Sequence, residues 1–232
     1  MILITGDIHG SHDISKLDNT KNPIFKKLTK KDYLIICGDF GLVWYNDMAD
    51  TLWRTWLDEK PFTTLFVDGN HENFDLLYEF PEEEWHGGRV HKISDSILHL
   101  MRGQLFDLQG KSFFTMGGAE SHDKAHRTLG RSIWLQELPS DEEYANALTT
   151  LEKCNYNVDY VITHCAPTDI QNEIAEVKQN FTYTDNRLTK FFSDIEPKLQ
   201  YKRWFCGHYH RNYVSQINPN FEILFNKIVK LP

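Results

Sequence analysis

Five times in this chain a short apolar run stops at a side chain able to hold a metal ion, and this recurrence limits the fold more than any other feature. Ile2-Leu3-Ile4-Thr5-Gly6 runs into Asp7 and His9, and Tyr33-Leu34-Ile35-Ile36-Cys37-Gly38 into Asp39. Thr64-Leu65-Phe66-Val67 passes through Asp68-Gly69 into Asn70 and His71. Val161-Ile162-Thr163 ends at His164, and Trp204-Phe205-Cys206-Gly207 ends at His208 and His210. Runs of β-branched and large apolar residues bounded by glycine predict buried strands. In open α/β sheets ligands collect beyond the carboxyl ends of the strands, so the five ends are expected to converge on one site with Asp39 at its centre. Four of them place a glycine directly before the first candidate ligand, where a missing Cβ permits close approach.

The spacing from Asp7 to Asp39 is 32 residues and from Asp39 to Asn70 is 31, each the length of one βαβ crossover. Residues 47–57 carry Met48, Leu52, Trp53, Trp56 and Leu57 at helical spacing and predict a helix packed on the core. Residues 72–78 predict a short helix stopped by Phe80-Pro81, with Glu82-Glu83-Glu84 as a solvated turn. From Gly88 the period becomes that of antiparallel strands, at 89–93, 97–101, 104–108 and 112–116, expected to form or extend a second sheet with a hairpin at Gln109-Gly110. Residues 117–140 read as a long irregular segment, a kind that is often functional in compact domains. A helix over 141–154, with Ser140 and Glu143 as a capping box, and another over 186–199 precede a closing hairpin of 213–217 and 221–225.

With 232 residues, 41% hydrophobic and 25% charged, the chain has the composition of an ordinary globular protein with a sizeable core. It reads as one domain over 1–232, with a substrate-facing insert at 117–140. No apolar run could span a bilayer, and Met1-Ile2-Leu3-Ile4 begins a strand without the features of a signal peptide, so a cytoplasmic location is expected. Cys37, Cys154, Cys165 and Cys206 read as reduced thiols, not a disulfide framework. The formal charge of -8 argues against a basic nucleic-acid surface, which leaves nucleic acid only as a possible substrate.

Oxygen and imidazole donors with no thiolate suit Mn²⁺, Fe or Zn²⁺.

The ordered blocks Gly6-Asp7-Ile8-His9-Gly10, Gly38-Asp39, Gly69-Asn70-His71-Glu72, Thr163-His164 and Gly207-His208-Tyr209-His210 resemble the calcineurin-like metallophosphoesterases over almost the whole chain. The resemblance implies an α/β fold in which two mixed sheets form a β-sandwich flanked by helices (α/β/β/α), with two divalent metal ions at the strand ends. It implies Asp7, His9, Asp39 and His210 on one ion and Asp39, Asn70, His164 and His208 on the other, with Asp39 bridging. The implied activity is hydrolysis of phosphodiesters or small phosphomonoesters by a metal-bridging hydroxide, for which His71, beside Asn70 and not needed as a ligand in that set, is the candidate general acid for the leaving oxygen.

The block after Asp39, Phe40-Gly41-Leu42-Val43-Trp44, departs from the Asp-Arg-Gly of the Ser/Thr protein phosphatase branch, so that activity is the runner-up. Arg127 and Arg131 are candidates for the missing phosphate-binding arginine, against the alternative that they are solvated or pair with Glu120, Asp123 or Glu137. Trp134 is read as packing in preference to stacking on substrate. A metal-stabilised module without catalysis is the remaining alternative, against which the presence of His71 counts.

Overall fold

The computed structural model describes residues 1–178 and 182–232. In chain order its elements are β1 (Ile2–Thr5), β2 (Tyr33–Cys37), α1 (Met48–Asp58), β3 (Thr63–Val67), α2 (Phe74–Leu77), β4 (Glu82–Trp85), β5 (Gly88–Lys92) and β6 (Ile97–Leu100). There follow β7 (Gln104–Leu108), β8 (Lys111–Met116), α3 (Asp141–Lys153), β9 (Tyr160–Thr163), α4 (Thr168–Lys178) and α5 (Arg187–Ile195). The last strands are β10 (Arg203–Cys206), β11 (Tyr213–Val214), β12 (Phe221–Ile223) and β13 (Ile228–Lys230). Short 3₁₀ turns at Ile14–Leu17 and Pro23–Lys27 fill the polar stretch between β1 and β2.

Two mixed sheets result. One has the order β13-β1-β2-β3-β6-β5-β4 and the other β11-β12-β10-β9-β8-β7. Strands β1, β2, β3 and β6 run parallel, as do β8, β9, β10 and β12. Alternation along each strand sorts side chains into layers. Ile2, Ile4, Ile35 and Leu65 meet Phe113, Tyr160, Ile162 and Phe205 between the sheets. The opposite face of the first sheet, Leu3, Leu34, Ile36 and Phe66, packs with Leu57 of α1 and with Phe74 and Leu77 of α2. The outer face of the second sheet, Phe114, Val161 and Trp204, is covered from α3, α4 and α5 by Leu151, Ile174 and Phe192. This is the expected α/β/β/α sandwich.

Helix starts follow the sequence. Ser140 and Glu143 form the capping box of α3, and the Asp47 side chain accepts from the Asp50 amide to start α1. Several expectations need correction. Glu82-Glu83-Glu84 is an edge strand, not a turn, where a row of charges blunts further pairing. The strands from Gly88 divide between the sheets, since β5 and β6 extend the first while β7 and β8 enter the second. Met48 and Leu52, expected in the core, are 79% and 64% exposed. Helix α4 and strand β13 are additions to the elements that the sequence predicts. Among the described residues no helix is long and apolar enough to cross a membrane.

Candidate metal centre

The ends of β1, β2, β3, β9 and β10 meet at one rim. One donor atom each from Asp7, His9, Asp39 and His210 lie within 4.8 Å of one another. On the other side of Asp39, His164 Nε2 stands 3.1 Å from Asp39 Oδ1 and 3.3 Å from Asn70 Oδ1, and the His208 ring centroid is 5.0 Å from that of His164. The glycines before these residues have the role foreseen for them. A Cβ on Gly69 would lie 2.1 Å from Asp39 Oδ1, and one on Gly207 would lie 2.0 Å from Asp7 Oδ1.

Backbone strain concentrates here. His9, Asp39, His208 and His210 have φ of 42°, 48°, 67° and 49°, in the left-handed region that side chains with a Cβ enter at a cost. Backbone amides fix the carboxylates: His208 N–H donates to Asp7 Oδ1 at 3.0 Å and His71 N–H to Asp39 Oδ1 at 2.8 Å.

The donor set is arranged for a cation. His164 Nδ1 lies 2.7 Å from the Cys37 carbonyl and therefore donates, which leaves Nε2 as a lone pair aimed at two oxygens. His9 repeats this, with Nδ1 donating to Asp13 Oδ2 at 2.8 Å and Nε2 only 3.2 Å from Asp39 Oδ2 yet without a hydrogen bond. Asp7 Oδ2 is likewise buried and without a hydrogen bond, with His210 Nε2 3.6 Å away. Lone pairs facing lone pairs in a buried site require positive charge between them. Without an ion the imidazoles supply it: burial pulls His9 and His164 down, but the Asp39 and Asp7 carboxylates outweigh it and hold both up at about 9. His208 goes the other way, held low by burial and by His164, so it is neutral and able to ligate. The residues fit a metal centre.

The remaining sequence candidates separate. His71 faces the same rim, with its ring centroid 5.3 Å from that of His9, and Arg127 Nη2 is 3.4 Å from His71 Nε2. The rest of that guanidinium is engaged, Nε with Asp123 Oδ1 at 2.6 Å and Nη1 with the Ser132 carbonyl at 3.1 Å. Arg131 is exposed and makes no ion pair among the described residues. Trp134 is 5% exposed and packs edge-on against Trp44, with Nε1 donating to Asp75 Oδ2 at 2.8 Å.

Sequence reading missed the residues that orient the donors. Asp13 lies four residues after His9, a spacing at which the pair could have been noticed. Ser121 Oγ accepts from Asn70 Nδ2 at 3.2 Å, turning the amide oxygen toward His164. Lys16 Nζ donates to the carbonyls of Gly6, Asp7 and Phe225, and Glu72 accepts from the amides of Phe40 and Gly41. His122, from the long segment, reaches His208 with Nε2 atoms 3.1 Å apart.

Two mixed sheets between helix layers, with carboxylate, amide and imidazole donors gathered at the strand ends, define a metallohydrolase. Residues 1–212 match the calcineurin-like phosphoesterases, and the chain belongs to that family, whose members are dinuclear metal-dependent hydrolases of phosphoester bonds. It is similar to lariat debranching enzyme A of Xenopus laevis, with 23% identity over 241 residues, covering 92% of this chain and 43% of that protein. The chain thus spans less than half the length of this relative.

Proposed function

We propose that the protein hydrolyses phosphodiesters in preference to monoesters, with Asp7, His9, Asp39 and His210 holding one ion and Asp39, Asn70, His164 and His208 the other. The observation that carries the assignment is the buried set of opposed lone pairs on Asp7, His9, Asp39 and His164, which a pair of cations would satisfy. The donor chemistry favours Mn²⁺, with Fe or Zn²⁺ as alternatives. When bound, the ions would neutralise phosphoryl charge and supply the water-derived nucleophile. His71, on the rim beside His9, is the proton donor to the leaving oxygen. Arg127 binds a phosphoryl oxygen, for which the approach of its Nη2 to within 3.4 Å of His71 Nε2 at the rim is the support. Residues 117–140 then wall the substrate on that side, within one domain over 1–232. The four free thiols agree with work in the reducing cytoplasm.

A diester is favoured because a cavity of about 590 Å³ opens beside His9, His71 and His210, giving room for a second group on phosphorus. The frog relative's debranching activity on lariats supports phosphoester hydrolysis as the chemistry. The test is a comparison of bis(4-nitrophenyl) phosphate with 4-nitrophenyl phosphate, using metal-free protein reloaded with Mn²⁺, Fe²⁺ or Zn²⁺. Higher kcat/KM on the diester is expected, and faster turnover of the monoester with every metal would overturn the preference.

A further inference from the structure

We infer that the cavity on the α1 side of the rim is a subsite for the departing nucleoside of a phosphodiester, with its base stacked on Tyr45, and that it accepts a terminal nucleoside and not a continuing strand. This rests on the diesterase reading. The cavity is lined by His9, His71 and His210 together with Trp44, Tyr45 and Trp53. Because the proposed proton donor lines it, the group that enters is the one that takes up the proton as the P–O bond breaks.

The aromatic wall is held rigidly. Asp50, 8% exposed, accepts on one oxygen from the amides of Trp44, Tyr45 and Asn46 at 2.9, 2.7 and 2.8 Å. Arg54 donates to the Leu42 carbonyl at 2.8 Å and to Asn46 Oδ1 at 2.9 Å, and Asn73 Nδ2 donates to the Trp44 carbonyl at 2.7 Å. Trp44 is backed edge-on by buried Trp134, whereas Tyr45 is 74% exposed on this fixed loop. A large ring held out by so many backbone bonds is pre-organised for a planar partner, and base–aromatic stacking is the interaction that it offers.

Charge sets the limit on length. The ionisable groups lining the cavity are histidines and Asp13, Asp47 and Asp50, and among the described residues no lysine or arginine lines it. A further phosphate there would meet the carboxylates of Asp13 and Asp47 with no lysine or arginine in the lining to hold it, whereas a neutral base and sugar would not.

The test uses Mn²⁺-loaded protein and a dinucleoside monophosphate, beside an analogue whose departing sugar lacks its base. The base is expected to raise kcat/KM by about tenfold or more, Tyr45→Ala to remove that advantage, and Tyr45→Phe to keep it. The analogue without the base, which offers no ring to position 45, should be cleaved equally by all three proteins. Equal rates with and without the base, or an advantage that survives Tyr45→Ala, would overturn the subsite while leaving diester hydrolysis intact. Cleavage of interior bonds of an oligonucleotide as fast as the dinucleoside bond would overturn the limit to a terminal nucleoside. If no diester is turned over at all, the parent reading fails, and adenosine quenching of tryptophan fluorescence still decides the subsite. Quenching weakened about tenfold by Tyr45→Ala supports it, and quenching that is absent or unchanged refutes it. A concentration-dependent dimer lost in Tyr45→Ala would assign the ring to self-association instead.

Discussion

Asp68 and Arg102 face each other in the interior behind the loop of Asn70 and His71, with Nε donating to Asp68 Oδ2 at 2.9 Å and Nη2 converging on the same oxygen. His99 Nε2 approaches the other oxygen at 3.0 Å. Burial pushes the Asp68 carboxyl up, but Arg102 and His99 outweigh it and hold it well below the usual carboxylate range. Arg102 Nη2 also donates to the Gln136 carbonyl at 2.6 Å, and the Gly118 amide donates to the Asp68 carbonyl at 2.9 Å. One ion pair thus ties the His71 loop to both ends of segment 117–140.

Removing one partner leaves the other charge buried and unpaired. Arg102→Ala is expected to cost about 3–5 kcal/mol in urea unfolding of the metal-free protein. The double change Asp68→Leu with Arg102→Met should cost less than the two single changes added together. A loss under about 1 kcal/mol for Arg102→Ala would show that the pair is not a structural tie.

Asp39→Ala should fold and lose turnover, with metal content falling below that of wild type, because in the proposed ligand set a single carboxylate serves both ions. Elemental analysis finding two ions per folded variant chain would rule out the bridging role.

His71→Ala should retain its metal. Its rate on an alkyl ester should drop by about 10² to 10⁴, with a much smaller loss on a nitrophenyl ester whose leaving oxygen needs no proton. The same loss on both esters would mean that His71 is not the donor.

At His208 the positive φ separates strain from ligation. His208→Gly and His208→Ala remove the same imidazole, yet glycine relaxes at φ 67° and alanine does not. In EDTA the glycine variant should be more stable by about 1 kcal/mol, with equal loss of metal. Equal unfolding midpoints would show that the loop relaxes freely.

Arg127→Ala should lower kcat/KM by about ten- to a hundredfold with metal retained, as expected for a lost charged hydrogen bond, whereas Arg131→Ala on the exposed loop should not. If neither variant changes kcat/KM on any ester, the 117–140 segment has no part in holding phosphate.

The strand ends could be read from sequence because each couples a local signal, an apolar run, to a local chemical change. Glu82–Trp85 and the split of the later strands could not, because pairing is decided by distant partners: β6 lies beside β3 through Leu65 and Leu98. Strand β13 has only Ile228, Val229 and Lys230, too short for any period. Helix α4 carries Ile170 and Ile174 at helical spacing but follows Pro167 closely, and the turn signal hid it. The exposure of Met48 and Leu52 was hidden because helical spacing gives a face without saying what covers it.

The His208 amide bonded to Asp7 spans 201 positions of sequence, and the Thr5 hydroxyl bonded to the Lys227 carbonyl spans 222. Such distant contacts close late, because loop entropy must be met before they form. On the ribosome, a nascent chain that has released β1 to β3 already displays Asp7, His9, Asp39 and Asn70, but His208 and His210 have yet to be translated. Until they and His164 arrive, the four early donors are an unfinished cup, and the centre can be completed only once nearly the whole chain has been made.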